Sequence, residues 1–290
     1  MISITNLTKT MGKKIVLDNL NWDIPTNSVF GLVGPNGIGK STLLRCIANI
    51  YKFDAGTITI NGIDSIQAAK ANSLVAYVSD DPFFFKNYNL HEMKEYYRIF
   101  YTSYDEAYFN KLVSIFNLDL KQKLSTYSKG MKRQASLILN LSIKPRYLLL
   151  DEAFDGLDPF KRLELKKLIV EELESRELTI IIASHNLREI EDIADSICLI
   201  DNGKVVFSNN SEDIKETYHK LQVAYDKDVD ISTFDPINPI KVTRRGKVFE
   251  IVSKNNLHEI MTYLKSTQPI ILEELPLSIE EIFILEVGGE

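Results

Sequence analysis

Nine residues, Gly34-Pro35-Asn36-Gly37-Ile38-Gly39-Lys40-Ser41-Thr42, constrain the fold of this 290-residue chain more than any other stretch. They follow a short apolar run, Val29-Phe30-Gly31-Leu32-Val33, that reads as a buried parallel strand. They lead into Leu43-Leu44-Arg45-Cys46-Ile47-Ala48, which reads as a helix. A chance glycine turn needs neither flank; this one has both, and both are what a phosphate-binding loop requires. The glycines let backbone wrap closely around phosphates, and N–H groups at the helix start face the anion. Asn36, Gly37, Gly39 and Thr42 complete the cradle. Lys40 would reach the β- and γ-phosphates, and the Ser41 hydroxyl would hold Mg²⁺. The loop implies that the chain binds a nucleotide.

A second segment, Tyr147-Leu148-Leu149-Leu150-Asp151-Glu152, is an apolar strand ending in two carboxylates. Asp151 is placed to ligate Mg²⁺ from the side opposite Ser41. Glu152, one residue on, is expected to point to the other face of the strand and to polarise the water that attacks the γ-phosphate. Between the two segments lies Tyr127-Ser128-Lys129-Gly130-Met131-Lys132-Arg133-Gln134, opening an apolar stretch that runs to Ile143. Ser128 suits a helix N-cap, and Gly130 keeps the first turn open to close approach.

Taken together, these segments resemble the ABC-type ATPases, the middle one being similar to their signature loop in a Lys- and Met-containing variant. That variant is familiar in bacterial exporters whose ATPase and membrane parts are separate chains. The resemblance covers residues 1–214. It implies that Ser128 and Gly130 bind the γ-phosphate held by a second nucleotide-binding subunit. It makes Phe154-Asp155-Gly156-Leu157-Asp158-Pro159 the loop linking two ATP sites, and it gives His185, at the end of Ile180-Ile181-Ile182-Ala183-Ser184, a γ-phosphate contact shared with Glu152. It also implies a cytoplasmic protein held at the inner face of the membrane by a transmembrane permease subunit. The favoured cargo is a peptide, antibiotic or lipid-like compound.

Two positions depart from the family pattern. Met11 stands where an aromatic ring usually stacks on adenine; a thioether covers a base face more weakly, so modest ATP affinity and loose base selectivity are expected. Asp80, closing Tyr77-Val78-Ser79-Asp80, stands where a glutamine usually senses Mg²⁺ and water. A carboxylate there can still ligate the metal, but it lacks the amide donor and adds repulsion near the phosphates unless Mg²⁺ is bound. Stronger dependence of turnover on Mg²⁺ follows.

The remaining sequence fits that frame. The expected fold is α/β: a P-loop nucleotide-binding core with strands at 29–33, 74–79, 147–151, 179–184 and 196–200, a flanking antiparallel β subdomain, and a helical subdomain at about 82–142. A small C-terminal α+β appendage, residues 215–290, completes it. Asp201-Asn202-Gly203 between two β-like runs signals a hairpin. Residues 83–109 hold eleven aromatics, enough both to fill a small helical core and to line a groove for a membrane subunit's helix, with Phe83 to Phe85 and Tyr88 at the contact. In the appendage, 226–239 reads as a linker, 242–252 as a hairpin turning at Arg245-Gly246, 257–264 and 279–285 as helices, and 269–272 as a strand. A net charge of −6 argues against general nucleic-acid binding. No apolar run of ~18 residues or signal peptide is evident, so no membrane span is expected. Cys46 and Cys198 lack metal or redox spacing and read as reduced core residues. A soluble ribosome- or chromosome-acting relative would need two nucleotide domains or a long coiled-coil insertion, and neither is present. A non-catalytic, nucleotide-gated partner of another ATPase draws weight from Met11 and Asp80, against the intact Lys40, Asp151, Glu152 and His185.

Overall fold

The computed structural model describes residues 1–66, 73–155, 157–187, 190–210 and 217–287. The chain divides into two compact units, Met1–Ser208 and Asn209–Glu290. The boundary expected at 214 falls among residues outside those described, as does Gly156 of the linking loop.

In the first unit, β1 (Ile2–Met11) pairs antiparallel with β2 (Lys14–Ile24) and with β4 (Ala55–Ile60), and β5 (Ile63–Asp64) extends the sheet in the order β2-β1-β4-β5. The core sheet runs β10 (Lys204–Asn210), β9 (Ser196–Asp201), β3 (Val29–Val33), β8 (Thr179–Ser184), β7 (Tyr147–Asp151), β6 (Val75–Val78). Its β9-β3-β8-β7-β6 pairings are parallel. Every residue of β3, β7 and β8 is buried, which is why these strands read as unbroken apolar runs rather than as alternating ones.

Helix α1 (Lys40–Ile47) is held between the two sheets. Leu43, Leu44 and Ile47 sit in one cluster with Ile4, Trp22 and Ile58 of the antiparallel sheet and with Leu149 and Ile181 of the core sheet. Burying each of these side chains contributes roughly 2 kcal/mol. This packing fixes the helix start, and with it the loop between β3 and α1. Truncating Leu44 to Ala would open a cavity at the junction and cost about 3 kcal/mol.

Three helices fall within residues 82–142: α2 (Leu90–Phe100), α3 (Glu106–Phe116) and α4 (Lys129–Ser142). Asn89 and Glu92 form a capping box at α2, Asp105 caps α3 and Ser128 caps α4, so each start is specified locally. Helix α5 (Pro159–Ser175) follows, with Asp158 as its cap and Pro159 in the first turn.

The second unit is a four-stranded antiparallel sheet, β12 (Lys241–Arg245), β13 (Val248–Ser253), β11 (His219–Ala224), β14 (Ile271–Leu275), with α6 (Leu257–Ser266) and α7 (Ile279–Val287). Strand β13 lies between β11 and β12, and β11 between β13 and β14, so the two crossovers interleave. The hairpin and both helices lie where the sequence puts them. The last strand starts two residues later than expected. Strand β11 and the 3₁₀ helix Ile231–Ile237, within the expected linker, are additions. Phe234 and Ile237 of that 3₁₀ helix are buried in the unit's core, so the segment is a packed crossover. Among the described residues no helix is long and apolar enough to cross a membrane.

Candidate nucleotide site

Strands β3, β8 and β7 are neighbours and parallel, so their C-terminal ends lie side by side. The loop after β3, His185 after β8, and Asp151 with Glu152 at the end of β7 are brought together by that order. Crevices at the carboxyl ends of parallel strands are where open α/β sheets bind ligands. The fold therefore assembles Lys40, Ser41, Asp151, Glu152 and His185 from segments far apart in sequence.

The loop needs its glycines. Gly39, the N-cap of α1, has φ +120°, and a Cβ there would lie 3.0 Å from the Val16 carbonyl oxygen. Gly37 has φ +76°. No side chain caps α1, so its first-turn N–H groups are available to an anion. Asn36 is exposed, whereas Thr42 is half-buried beside Ser41. Lys40 is only 6% exposed, and its Nζ donates to the carbonyls of Gly34 (2.6 Å) and Pro35 (3.1 Å). Burial pulls its ammonium below the ordinary lysine range, and the nearby Glu152 and Asp151 charges oppose that pull.

Asp151 is fully buried. The Ser41 hydroxyl donates to its Oδ1 at 2.9 Å and the Tyr77 hydroxyl to its Oδ2 at 2.7 Å. Burial pushes this carboxyl above the ordinary range, and the Tyr77 and Ser41 hydrogen bonds only partly counter it. A hydroxyl and a buried carboxylate at this spacing form the hard oxygen pair a Mg²⁺ ion takes, so the residues present fit such an ion.

Glu152 differs from the sequence expectation in how it is aimed. Its amide still donates to the Ala183 carbonyl at 3.0 Å, but its φ is +51°, in the left-handed region. Strand alternation therefore does not set its direction; the turn does. For a residue of this kind that conformation costs about 1 kcal/mol, and such strain is concentrated at functional sites. The result is that Glu152 Oε2 lies 2.9 Å from His185 Nδ1, with His185 partly exposed.

Asp80 also differs. Its carboxylate is not left uncompensated: Arg45 Nη2 lies 3.5 Å from its Oδ1. The Asp80 carbonyl accepts from Arg133 Nε at 2.8 Å, and Arg133 Nη1 donates to the Asp155 carbonyl at 2.7 Å. Arg45, Tyr77 and Arg133 are the site residues that motif reading missed. The available signals were an Arg on the second turn of α1 and a Tyr three residues before Asp80. Met11, at the end of β1, is 45% exposed. Ser128 and Gly130 open α4, where the Ser128 hydroxyl accepts from the Met131 amide at 3.2 Å.

Apart from this site, the helical segment exposes a run of rings. Phe85 touches Phe83, Tyr88 and Tyr96 at centroid distances of 4.9 to 5.9 Å, and Tyr96 touches Phe100 at 4.9 Å. Phe83 is 82% exposed, and Ile99 and Phe100 are exposed beside this run. Tyr108, Phe109 and Phe116 fill the helical core instead. A groove of about 330 Å³, lined in part by Pro82, Phe83, Phe84 and Leu124, adjoins these rings.

Comparison with known proteins shows the family. The model of the family described as "ABC transporter" matches residues 17–155. The chain is 30% identical to the ABC transporter ATP-binding protein YtrB of Bacillus subtilis, over all of this chain and 99% of that protein. The chain belongs to the ABC transporter ATP-binding family. As a member, it is an ATPase coupled to transport. The lantibiotic transport ATP-binding protein SrtF of Streptococcus pyogenes is 32% identical, over 78% of this chain and 99% of that protein. A solved structure titled "Structure of ATP binding subunit of ABC transporter" superposes with a TM-score of 0.68 at 25% identity, covering 74% of this chain and 92% of that one.

Proposed function

We propose that this ABC ATPase powers export of a peptide, antibiotic or lipid-like compound through a separate transmembrane subunit. On this reading the chain stays at the cytoplasmic face of the membrane. The observation that carries the catalytic part is the Glu152–His185 pair, 2.9 Å apart and beside the Ser41–Asp151 pair. Asn36, Gly37, Gly39, Lys40 and Thr42 hold the phosphates of ATP, and Met11 lies against the adenine. Ser41 and Asp151, with Asp80, would hold Mg²⁺, which would supply charge neutralisation to the phosphates of ATP. Glu152 accepts the proton of the attacking water, and His185 fixes the carboxylate's orientation and contacts the γ-phosphate.

Ser128 and Gly130 start α4, where N–H groups and the positive helix end favour an anion. They serve the ATP held by a second copy or a homologous chain, so two ATP molecules are enclosed in a head-to-tail pair. The exposed rings Phe83, Phe85, Tyr88 and Phe100 receive a helix of the membrane subunit, since aromatic surfaces capture amphipathic helices at low entropic cost. The export direction and the cargo class draw support from the lantibiotic transport relative. Residues 215–290 form an accessory domain on this reading.

Steady-state ATP hydrolysis over a range of protein concentrations tests the reading. The per-molecule rate is expected to climb with concentration, and Glu152→Gln is expected to abolish it. A rate independent of concentration would remove the paired site. No hydrolysis at any concentration would mean that a different subunit supplies part of the machinery.

A further inference from the structure

Three donors of one guanidinium converge on the metal side of the site. Arg45 Nε donates to the Tyr77 hydroxyl at 3.1 Å, Nη1 to the Tyr51 hydroxyl at 3.3 Å, and Nη2 pairs with the Asp80 carboxylate at 3.5 Å. The Tyr77 hydroxyl has one proton, and it goes to Asp151 at 2.7 Å. The guanidinium is therefore linked to the buried carboxylate through one phenol. It is linked directly to the acidic residue standing at the end of the neighbouring segment. Arg45 lies on α1, five residues after Lys40, so its backbone is fixed by the same packing that fixes the phosphate loop.

We infer that Arg45 is a positioning residue of the nucleotide site and the built-in counter-charge of Asp80. The inference rests on the nucleotide reading above and deepens it. Two carboxylates, the part-exposed Asp80 and the buried Asp151, lie close enough to act on each other's charge, on the side of the site that would hold Mg²⁺. At half-exposed positions an unbalanced charge a few ångströms from a polyanion changes binding several-fold. Arg45 offsets that repulsion before any metal arrives, and through Tyr77 it fixes the orientation of Asp151. An acidic residue at position 80 is then compatible with nucleotide binding, because a fixed cation stands beside it.

The test is affinity rather than turnover. Binding of a fluorescent ATP analogue to the full chain is measured once with Mg²⁺ and once in EDTA. Arg45→Ala is expected to weaken binding in EDTA about five- to tenfold and binding with Mg²⁺ less than about twofold, because the dication masks the Asp80 charge. The second change Asp80→Asn is expected to restore the EDTA arm, and Arg45→Lys to stay near wild type there. If Arg45→Ala does not fold, Arg45→Gln gives the same comparison, keeping a donor toward Tyr77 without the charge. Equal loss in both media with no rescue by Asp80→Asn would mean packing alone, and unchanged binding in EDTA would overturn the inference directly. A Lys40→Ala control separates the two readings. If it binds as wild type does, the nucleotide site itself is misplaced and this inference falls with it. If it fails to bind while Arg45→Ala behaves as wild type, only the counter-charge is wrong.

Discussion

Asp151 shows how the demands of a site oppose those of a fold at a single residue. Its carboxyl is raised by burial, so the ionised form is costly in the folded chain. The sign follows from linkage: between the ordinary value near 3.8 and the raised folded value, the folded state holds the proton more tightly. Stability therefore falls as pH rises through that window, and the cost persists at neutral pH. Asp151→Asn removes the charge and nearly keeps the shape, at the cost of one of the two oxygens that accept from Ser41 and Tyr77. It is expected to raise the midpoint of thermal unfolding at pH 7 by about 2 °C or more while abolishing Mg²⁺-dependent hydrolysis. A lower midpoint, read by calorimetry, would mean that the hydrogen bonds from Ser41 and Tyr77 outweigh the buried charge. At Met11 the expected cost lies in binding: Met11→Tyr should tighten ATP several-fold and sharpen selection of ATP over GTP, as a competition assay would read. At this scale the sequence makes residue identity legible but not direction. Asp151 and Glu152 stand out as a pair, yet the left-handed turn that aims Glu152 at His185 has no signature in a glutamate.

Among elements, the C-terminal end of α5 is tied by a charge cluster to the segment between α4 and β7, which carries Lys144. Glu172 is buried and accepts from Lys144 Nζ at 2.8 Å and Arg176 Nε at 2.6 Å. Burial alone would push its carboxyl up, but the two cations outweigh that and hold it below the ordinary range. A depressed acid contributes stability that is present above the unfolded value, near 4.5, and is lost as pH falls through the folded value. Glu172→Ala leaves two cations unpaired and is expected to cost roughly 3 kcal/mol at pH 7. Its effect should shrink when denaturant titrations are repeated at progressively lower pH. A deficit that stays constant across that range would assign the loss to packing. Periodicity and turn chemistry made most elements legible. Buried parallel strands such as β7 and β8 are continuous apolar runs, and Asn202-Gly203 sets the β9–β10 hairpin. Strand β11 was not legible, because its alternation rests on Leu221 and Val223 alone and its other positions are polar or small. The 3₁₀ segment 231–237 looked like a linker because the stretch around it, residues 226–239, is rich in Asp and Pro, and the two side chains that anchor it, Phe234 and Ile237, follow no regular period.

For the whole molecule, the nucleotide site and the ring surface occupy different segments and answer to different chemistry. The site is polar, and its parts lie at strand ends within the first unit. The rings lie on the surface between residues 83 and 100, where Phe83, Ile99 and Phe100 remain exposed although a helical core is available to take other aromatics. Contiguous exposed apolar surface of this kind marks a contact with another molecule. If that contact is the membrane subunit, a charge placed there should separate hydrolysis from coupling. Phe83→Asp combined with Phe100→Asp touches no residue of the nucleotide site. Concentration-dependent ATP hydrolysis by the isolated chain is therefore expected to stay within about twofold of wild type. Co-purification with the membrane subunit, by contrast, is expected to fall at least tenfold, because burying two unpaired carboxylates in an aromatic interface costs more than the rings contribute. Retained association with the membrane subunit would place docking elsewhere on the molecule. Lost hydrolysis with retained folding would mean that the ring surface supports the paired ATPase and not the membrane contact.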